Sequence, residues 1–267
     1  MSEPIRVFCG TEPKTIVAHC VLESSIKRRT RREVLFTPML DDPAWQYPPT
    51  LKTGTGFSLR RWLIPAYCAW EGRAIYLDAD QIVLSDIEEL WQMPETVTVK
   101  REGEITPVPA GTAVWATYQA DKFSPEVPRP QSSVMVIDCA AAWTSGFGWR
   151  KDYMLDYLVK NPSRYHDFMH AFWLEPPPAR IPNVWNALHT YTDKTKLLHF
   201  TKEPNQPWYA PDRPLSHLWE KELKEAIIAG YVTREDFESA LSKWKRFEDH
   251  RRQNGLNPHY KRYLSLF

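Results

Sequence analysis

The sequence predicts an α/β protein, with a mixed sheet flanked by helices over residues 1–210 and a helical extension packed on that core over residues 211–267. Three observations carry this. Short β-rich runs alternate with amphipathic stretches from Ile5 onward, and the apolar run Ala74-Ile75-Tyr76-Leu77 has the composition of a buried strand. Leu215 to His250 then mixes apolar and charged residues at helical spacing.

Taken in order, Ile5-Arg6-Val7-Phe8-Cys9 reads as a first strand ending at Gly10-Thr11-Glu12-Pro13. Ile16, Val17, Cys20 and Val21 follow at helical spacing up to Lys27. The basic run Lys27-Arg28-Arg29-Thr30-Arg31-Arg32 falls where that helix ends and reads as a solvated terminus. Phe57 to Ala69 reads as a buried helix bent at Pro65, feeding the Ala74–Leu77 strand. Ser85-Asp86-Ile87-Glu88 has the form of a capping box, opening a short helix that Pro94 stops. Val97-Thr98-Val99, Ala113 to Tyr118 and Ser133 to Ile137 read as strands, and Lys151 to Val159 and Arg164 to Trp173 as helices. Lys196 to Phe200 reads as a late strand. Prolines cluster at Pro43–Pro49, Pro125–Pro130 and Pro176–Pro182, and those stretches are expected to be ordered loops.

Composition narrows the classes. With 43% apolar residues in 267, the chain can bury one sizeable core, and disorder is excluded as the default. A net charge of +1 gives no electrostatic reason to expect nucleic acid as a partner. Cys9, Cys20, Cys68 and Cys139 form no C-x-x-C pair and read as reduced core residues. The strand-like Ile5–Cys9 follows Met1 too closely for a signal peptide, and no window approaches the roughly 20 apolar residues of a membrane span. A cytoplasmic protein is expected.

Asp78-Ala79-Asp80 closes the Ala74–Leu77 run, so both carboxylates fall at a strand's carboxyl end, where open α/β sheets bind ligands. Two acids one residue apart in a turn readily share a hard cation, which points to a metal holding a phosphorylated substrate. Asp-x-Asp alone recurs by chance, and Asp is common in turns.

Other pieces give it context. They are the polar turn Gly10-Thr11-Glu12; Arg61 ahead of Tyr76-Leu77-Asp78-Ala79-Asp80; the strand Ser132-Ser133-Val134-Met135-Val136-Ile137-Asp138; and His199-Phe200 followed by Pro207-Trp208. In that order they resemble the retaining nucleotide-sugar glycosyltransferases of family eight, which have the GT-A fold and include glycogenin and bacterial galactosyltransferases. The resemblance implies that Asp78, Asp80 and His199 hold a divalent metal bridging the diphosphate of a UDP-sugar donor. Two carboxylates and an imidazole suit Mn²⁺ better than Mg²⁺, which prefers oxygen. It also implies that Arg61 reaches toward the donor diphosphate, and that Gly10, Thr11 and Glu12 form the turn contacting the nucleoside. Ala79 lets the nucleotide lie close. Tyr165-His166-Asp167 resembles the family's Tyr-Gln-Asp, making Asp167 the candidate for orienting the donor sugar. Gln131, Ser132 and Asn186 are further sugar-contact candidates, and the acceptor is expected to be a carbohydrate or glycoconjugate.

Two positions depart from the family. Phe168 stands where a polar group commonly follows the acid, which disfavours a protein nucleophile and leaves same-face attack, with the donor phosphate accepting the proton. Gln206 stands where a Lys often contacts the phosphate, and Lys202 is the candidate replacement. Two other classes compete. Haloacid-dehalogenase-like phosphohydrolases also use Asp-x-Asp, but set it after the first strand and follow it with Thr or Val, whereas Gln81-Ile82 follows here. A nucleotide-sugar-binding protein without transfer activity is the second, and release of UDP separates it from an enzyme. Trp45, Tyr47, Trp173 and Trp208 are aromatics able to stack on sugar rings, although packing is the commoner role of surplus Trp.

Overall fold

The structure, a computed structural model, describes residues 3–40, 55, 57–96, 99–101, 104–106, 108–121, 124–202, 206–210, 212–240 and 259–267. It divides into two compact units, each assembled from separated stretches of chain. One comprises residues 1–10, 32–78 and 88–185, and the other 11–31, 79–87 and 186–267. Among the described residues, no helix is long and apolar enough to cross a membrane. Trp45, Tyr47, the Pro43–Pro49 stretch, the Val97-Thr98 start of an expected strand and the 241–250 end of the expected late helices lie outside the described residues.

The first unit is built on a mixed sheet. Its strands are β1 (Ile5–Gly10), β2 (Val34–Met39) and β3 (Arg73–Asp78), with a separate short β5 (Val99–Arg101) and β6 (Glu104–Thr106) hairpin, and then β7 (Val114–Asp121), β8 (Ser124–Asp138) and β9 (Ala179–Arg180). The spatial order is β2-β1-β3-β8-β7-β9. β1 runs parallel to β2 and β3, while β8 is antiparallel to β3 and β7. Ala74, Ile75, Tyr76 and Leu77 are all buried, as a strand covered on both faces requires. The register sets Gly10 opposite Asp78, so β1 and β3 end together.

Four expectations change here. The Pro125–Pro130 stretch is strand, not loop. Pro is tolerated because β8 pairs with β3 only from Val134 onward, so its first half pairs on one side alone, with register shifts against β7. The expected helix Phe57–Ala69 is a 3-10 turn, Arg60–Leu63, followed by α2 (Ile64–Tyr67). Pro65 lies in the first turn of α2, where its missing N–H costs nothing, so it starts a helix instead of bending one. Pro94 likewise lies inside a second short helix, α4 (Met93–Thr96), after α3 (Ile87–Trp91). The expected helix Arg164–Trp173 stops after α7 (Tyr165–Met169), and Ala171 turns left-handed at φ 54°. The helix α6 (Lys151–Lys160) forms as expected. The core beneath is aromatic: Trp62 packs edge-on against Trp149 and Trp173, and Phe168 stacks on Trp173 at 5.5 Å. Burying Phe168 contributes about 1.5–3 kcal/mol. A side chain on Gly148 would collide at 2.8 Å with both of those rings.

In the second unit, β4 (Gln81–Val83), β10 (Ala187–Leu188) and β11 (Leu197–His199) form a small sheet in the order β10-β11-β4. α1 (Ile16–Lys27) and α8 (Ser216–Ile228) pack with it around Val17, Ile82, Trp208, Trp219 and Tyr263. Residues 234–240 are also helical. The basic run after α1 is not simply solvated. Arg28 and Arg29 both pair with Glu222 of α8, which is 2% exposed, and Arg29 Nη2 lies 2.6 Å from its Oε1. Two guanidinium forks offset the cost of burying that carboxylate. The four cysteines are free thiols, three of them buried.

Candidate functional site

Asp78 ends β3 in a cationic setting. Tyr76 donates to its Oδ1 at 2.5 Å, and Arg61 Nη2 lies 3.3 Å from the same oxygen. Burial above all raises the Tyr76 pKa well beyond the usual range, so the phenol stays a donor. Arg61 is 5% exposed, and its guanidinium is fully used. Nε donates to Ser58 O at 2.9 Å, Nη1 to Ser132 O and Oγ at 2.7 and 3.0 Å, and the group lies 4.6 Å from the centre of the Tyr76 ring. Arg61 therefore clamps Asp78 and Ser132 together. Gly10 makes room: a Cβ there would run into the Tyr76 hydroxyl and come within 2.5 Å of the Phe57 ring.

Asp80, in the other unit, has different company. His199 Nε2 lies 3.0 Å from Asp80 Oδ1, and Gln206 Nε2 donates to Oδ2 at 2.9 Å and to Phe200 O at 3.0 Å. His199 is 3% exposed on β11, its Nδ1 2.8 Å from Asn186 Oδ1. Asn186 Oδ1 is an acceptor for Nδ1–H, and Nε2 faces a carboxylate oxygen. Two electron-rich atoms 3.0 Å apart need a shared proton or a cation between them. A buried imidazole fixed by an amide and aimed at a carboxylate is the arrangement of metal-ligating histidines.

The chain has a known architecture. The chain has 13% identity and a TM-score of 0.60 to a galactosyltransferase, LgtC, in complex with donor and acceptor sugar analogs, over 91% of this chain and 100% of that one. It has 14% identity and a TM-score of 0.55 to the apo form of the glycosyltransferase GlyE of Streptococcus pneumoniae, over 83% of this chain and 60% of that one. The fold is GT-A. Among curated proteins, Protein CDI of Arabidopsis thaliana is 26% identical over 245 residues, covering 84% of this chain and 87% of that protein. No family model matches.

The other residues singled out in the sequence are spread over both units. In the turn after β1, Thr11 is buried, and its hydroxyl lies 3.0 Å from Thr15 Oγ1 and 3.1 Å from His19 Nδ1. Glu12 pairs with Lys14 at 2.9 Å, and its backbone N–H donates to Thr15 Oγ1. Ala79 is buried and Lys202 exposed. Asp167 lies on α7, half-buried, with Arg164 Nη1 3.3 Å from its Oδ2. Gln131 spans to Gln119 O and Arg129 O, a strand-to-strand role. Asn186 is fully buried against His199, which makes it an orienting group for the imidazole. Phe168 is a core ring stacked on Trp173, and Trp208 is fully buried; packing accounts for both. Three contacts escaped the sequence reading. Tyr76 looks like one more apolar strand residue, and the carboxylate role of Gln206 depends on the path of its loop. His189, whose Nε2 lies 2.9 Å from Thr201 Oγ1, left no motif; burial chiefly, then Lys202, lowers its pKa.

Proposed function

We propose that this chain is a metal-dependent, retaining glycosyltransferase of the family-eight type, transferring a hexose from a UDP-sugar to a carbohydrate or glycoconjugate acceptor. The observation that carries the reading is the Asp80–His199–Asn186 relay at 3.0 and 2.8 Å. Asp78, Asp80 and His199 each offer one ligand atom, and this oxygen-and-nitrogen set fits Mn²⁺. When bound, the cation supplies positive charge toward the leaving diphosphate.

The chain's own groups do the rest. Asn186 and Gln206 fix the rotamers of His199 and Asp80, while Tyr76 and Arg61 fix Asp78. Arg61 also holds Ser132 in place, so its contribution is positional as well as electrostatic. Glu12 contacts the nucleoside from the turn that buried Thr11 braces through Thr15 and His19, and the exposed Lys202 ammonium meets the phosphates. Asp167 orients the donor sugar. The neighbouring Phe168 is locked in the core, so that position offers no nucleophile beside Asp167. Attack on the leaving-group face follows, with the departing phosphate oxygen taking the acceptor's proton.

The test is release of UDP from UDP-glucose and UDP-galactose in the presence of Mn²⁺, without acceptor. Slow hydrolysis of one donor, lost in His199→Ala, is expected. Binding of UDP with no release from any donor and acceptor pair would make the chain a nucleotide-sugar binder instead.

A further inference from the structure

One groove in the first unit has no part in the proposed donor site. Its volume is about 470 Å³, within the range of small-ligand sites, and its walls are Tyr118, Val127, Pro130, Phe172 and Pro178 with one cation, Arg129. Val127 and Phe172 are large apolar side chains 63% and 51% exposed, an unusual pairing at a surface depression.

The walls are built, not incidental. Tyr118 donates to Pro178 O at 2.6 Å and carries Arg180 at 4.2 Å from its ring centre. Phe172 stacks on His170 at 5.4 Å and 28°, with the Arg129 guanidinium 5.8 Å from its centre. Two hydrogen bonds, one between backbone groups and one from a side chain to the backbone, tie the groove to the neighbourhood of residues assigned above to the sugar. The Phe172 N–H donates to Asp167 O at 2.8 Å, and His170 Nδ1 lies 3.0 Å from Pro130 O, two residues before Ser132. Phe172 thus follows directly on the helix that carries Asp167, and the same strand carries Ser132 and Pro130.

From this continuity we infer that the groove is an acceptor subsite, taking a neutral glycoside with its apolar aglycone against Phe172, Val127 and the prolines. The inference rests on the reading of Asp167 as a sugar-facing residue. Aromatic and proline faces stack on the C–H faces of sugars and on aryl rings. Of the lining residues only Arg129 is charged, with Arg180 set on the Tyr118 ring, which does not call for a highly charged ligand. The volume suits an aryl hexoside and is too small for a protein interface.

The probes are p-nitrophenyl β-galactopyranoside and p-nitrophenyl β-glucopyranoside, with the free hexoses as controls, titrated without donor by calorimetry and saturation-transfer NMR. At least one aryl glycoside should bind tenfold or more tightly than its free hexose, with the strongest saturation on the aryl protons. Phe172→Ala and Val127→Asp, both surface changes, should each weaken it tenfold or more while leaving metal-dependent UDP binding intact. Equal affinity for aryl glycoside and free hexose, unchanged affinity in both variants, or preferential binding of a proline-rich peptide would overturn the assignment. Failure of the glycosyltransferase reading would appear separately, as loss of UDP binding in the wild-type protein.

Discussion

Asp78 and Asp80 are one residue apart in sequence and sit in opposite surroundings. Asp78 faces a permanent cation, Arg61, and a phenol that keeps its proton. Asp80 is held by an imidazole and a neutral amide. One carboxylate is already compensated by the protein, whereas the other has no permanent cation among these partners. A two-acid motif is therefore not two equivalent ligands. Asp80 with His199 should dominate cation affinity, and Asp78 should serve more as a link between the cation and the Arg61 clamp.

The largest effect is expected at Asp80 and His199. Asp80→Ala or His199→Ala should lower UDP release at least a hundredfold, as removal of a metal ligand does, while Asp78→Ala should cost less than either in Mn²⁺ affinity. Equal losses at the two acids would erase the asymmetry.

Arg61→Met is the next test. It leaves Asp78 without its cation and Ser132 O without its donor, so a stability loss of about 3 kcal/mol is expected in urea unfolding. Arg61→Lys should recover little of it, because one ammonium cannot reach Ser58, Ser132 and Asp78 at once.

The second unit should also be the more pH-sensitive. Burial holds the His19 imidazole at about 4 against an ordinary 6.5, with Asp236 opposing. The unfolded chain takes up a proton near pH 6.5 and the folded one only near 4. Stability present above 6.5 is therefore lost as pH falls toward 4, by up to about 3 kcal/mol. His19→Gln should flatten that part of the stability–pH curve.

The smallest effect belongs to Gln206→Ala. It removes a neutral donor from Asp80 Oδ2 and should cost about 1–2 kcal/mol of stability, with weaker Mn²⁺ binding seen by titration.

What could be read in advance follows the range of the forces involved. The strand ending in Asp78 announced itself because an apolar run of that length has few other uses, whereas His199, in a second such run, stood out only through the Phe200 and Pro207-Trp208 that follow it. Long-range partners were hidden. Arg61 reads as a free fork aimed at phosphate, yet Ser132, 71 positions away, already occupies one of its nitrogens. The Pro125–Pro130 segment carries turn chemistry but lies in a strand half that pairs with β7 and not β3, so missing donors do no harm there. Gln206 sits in a loop whose path alone shows that it holds Asp80.

The most direct measurement is calorimetric titration of UDP into the wild-type protein with and without Mn²⁺, beside Asp80→Ala. Binding that requires Mn²⁺ and disappears in the variant is the predicted result. UDP binding of equal strength in all three conditions would contradict the assignment of Asp80 and His199 to a cation.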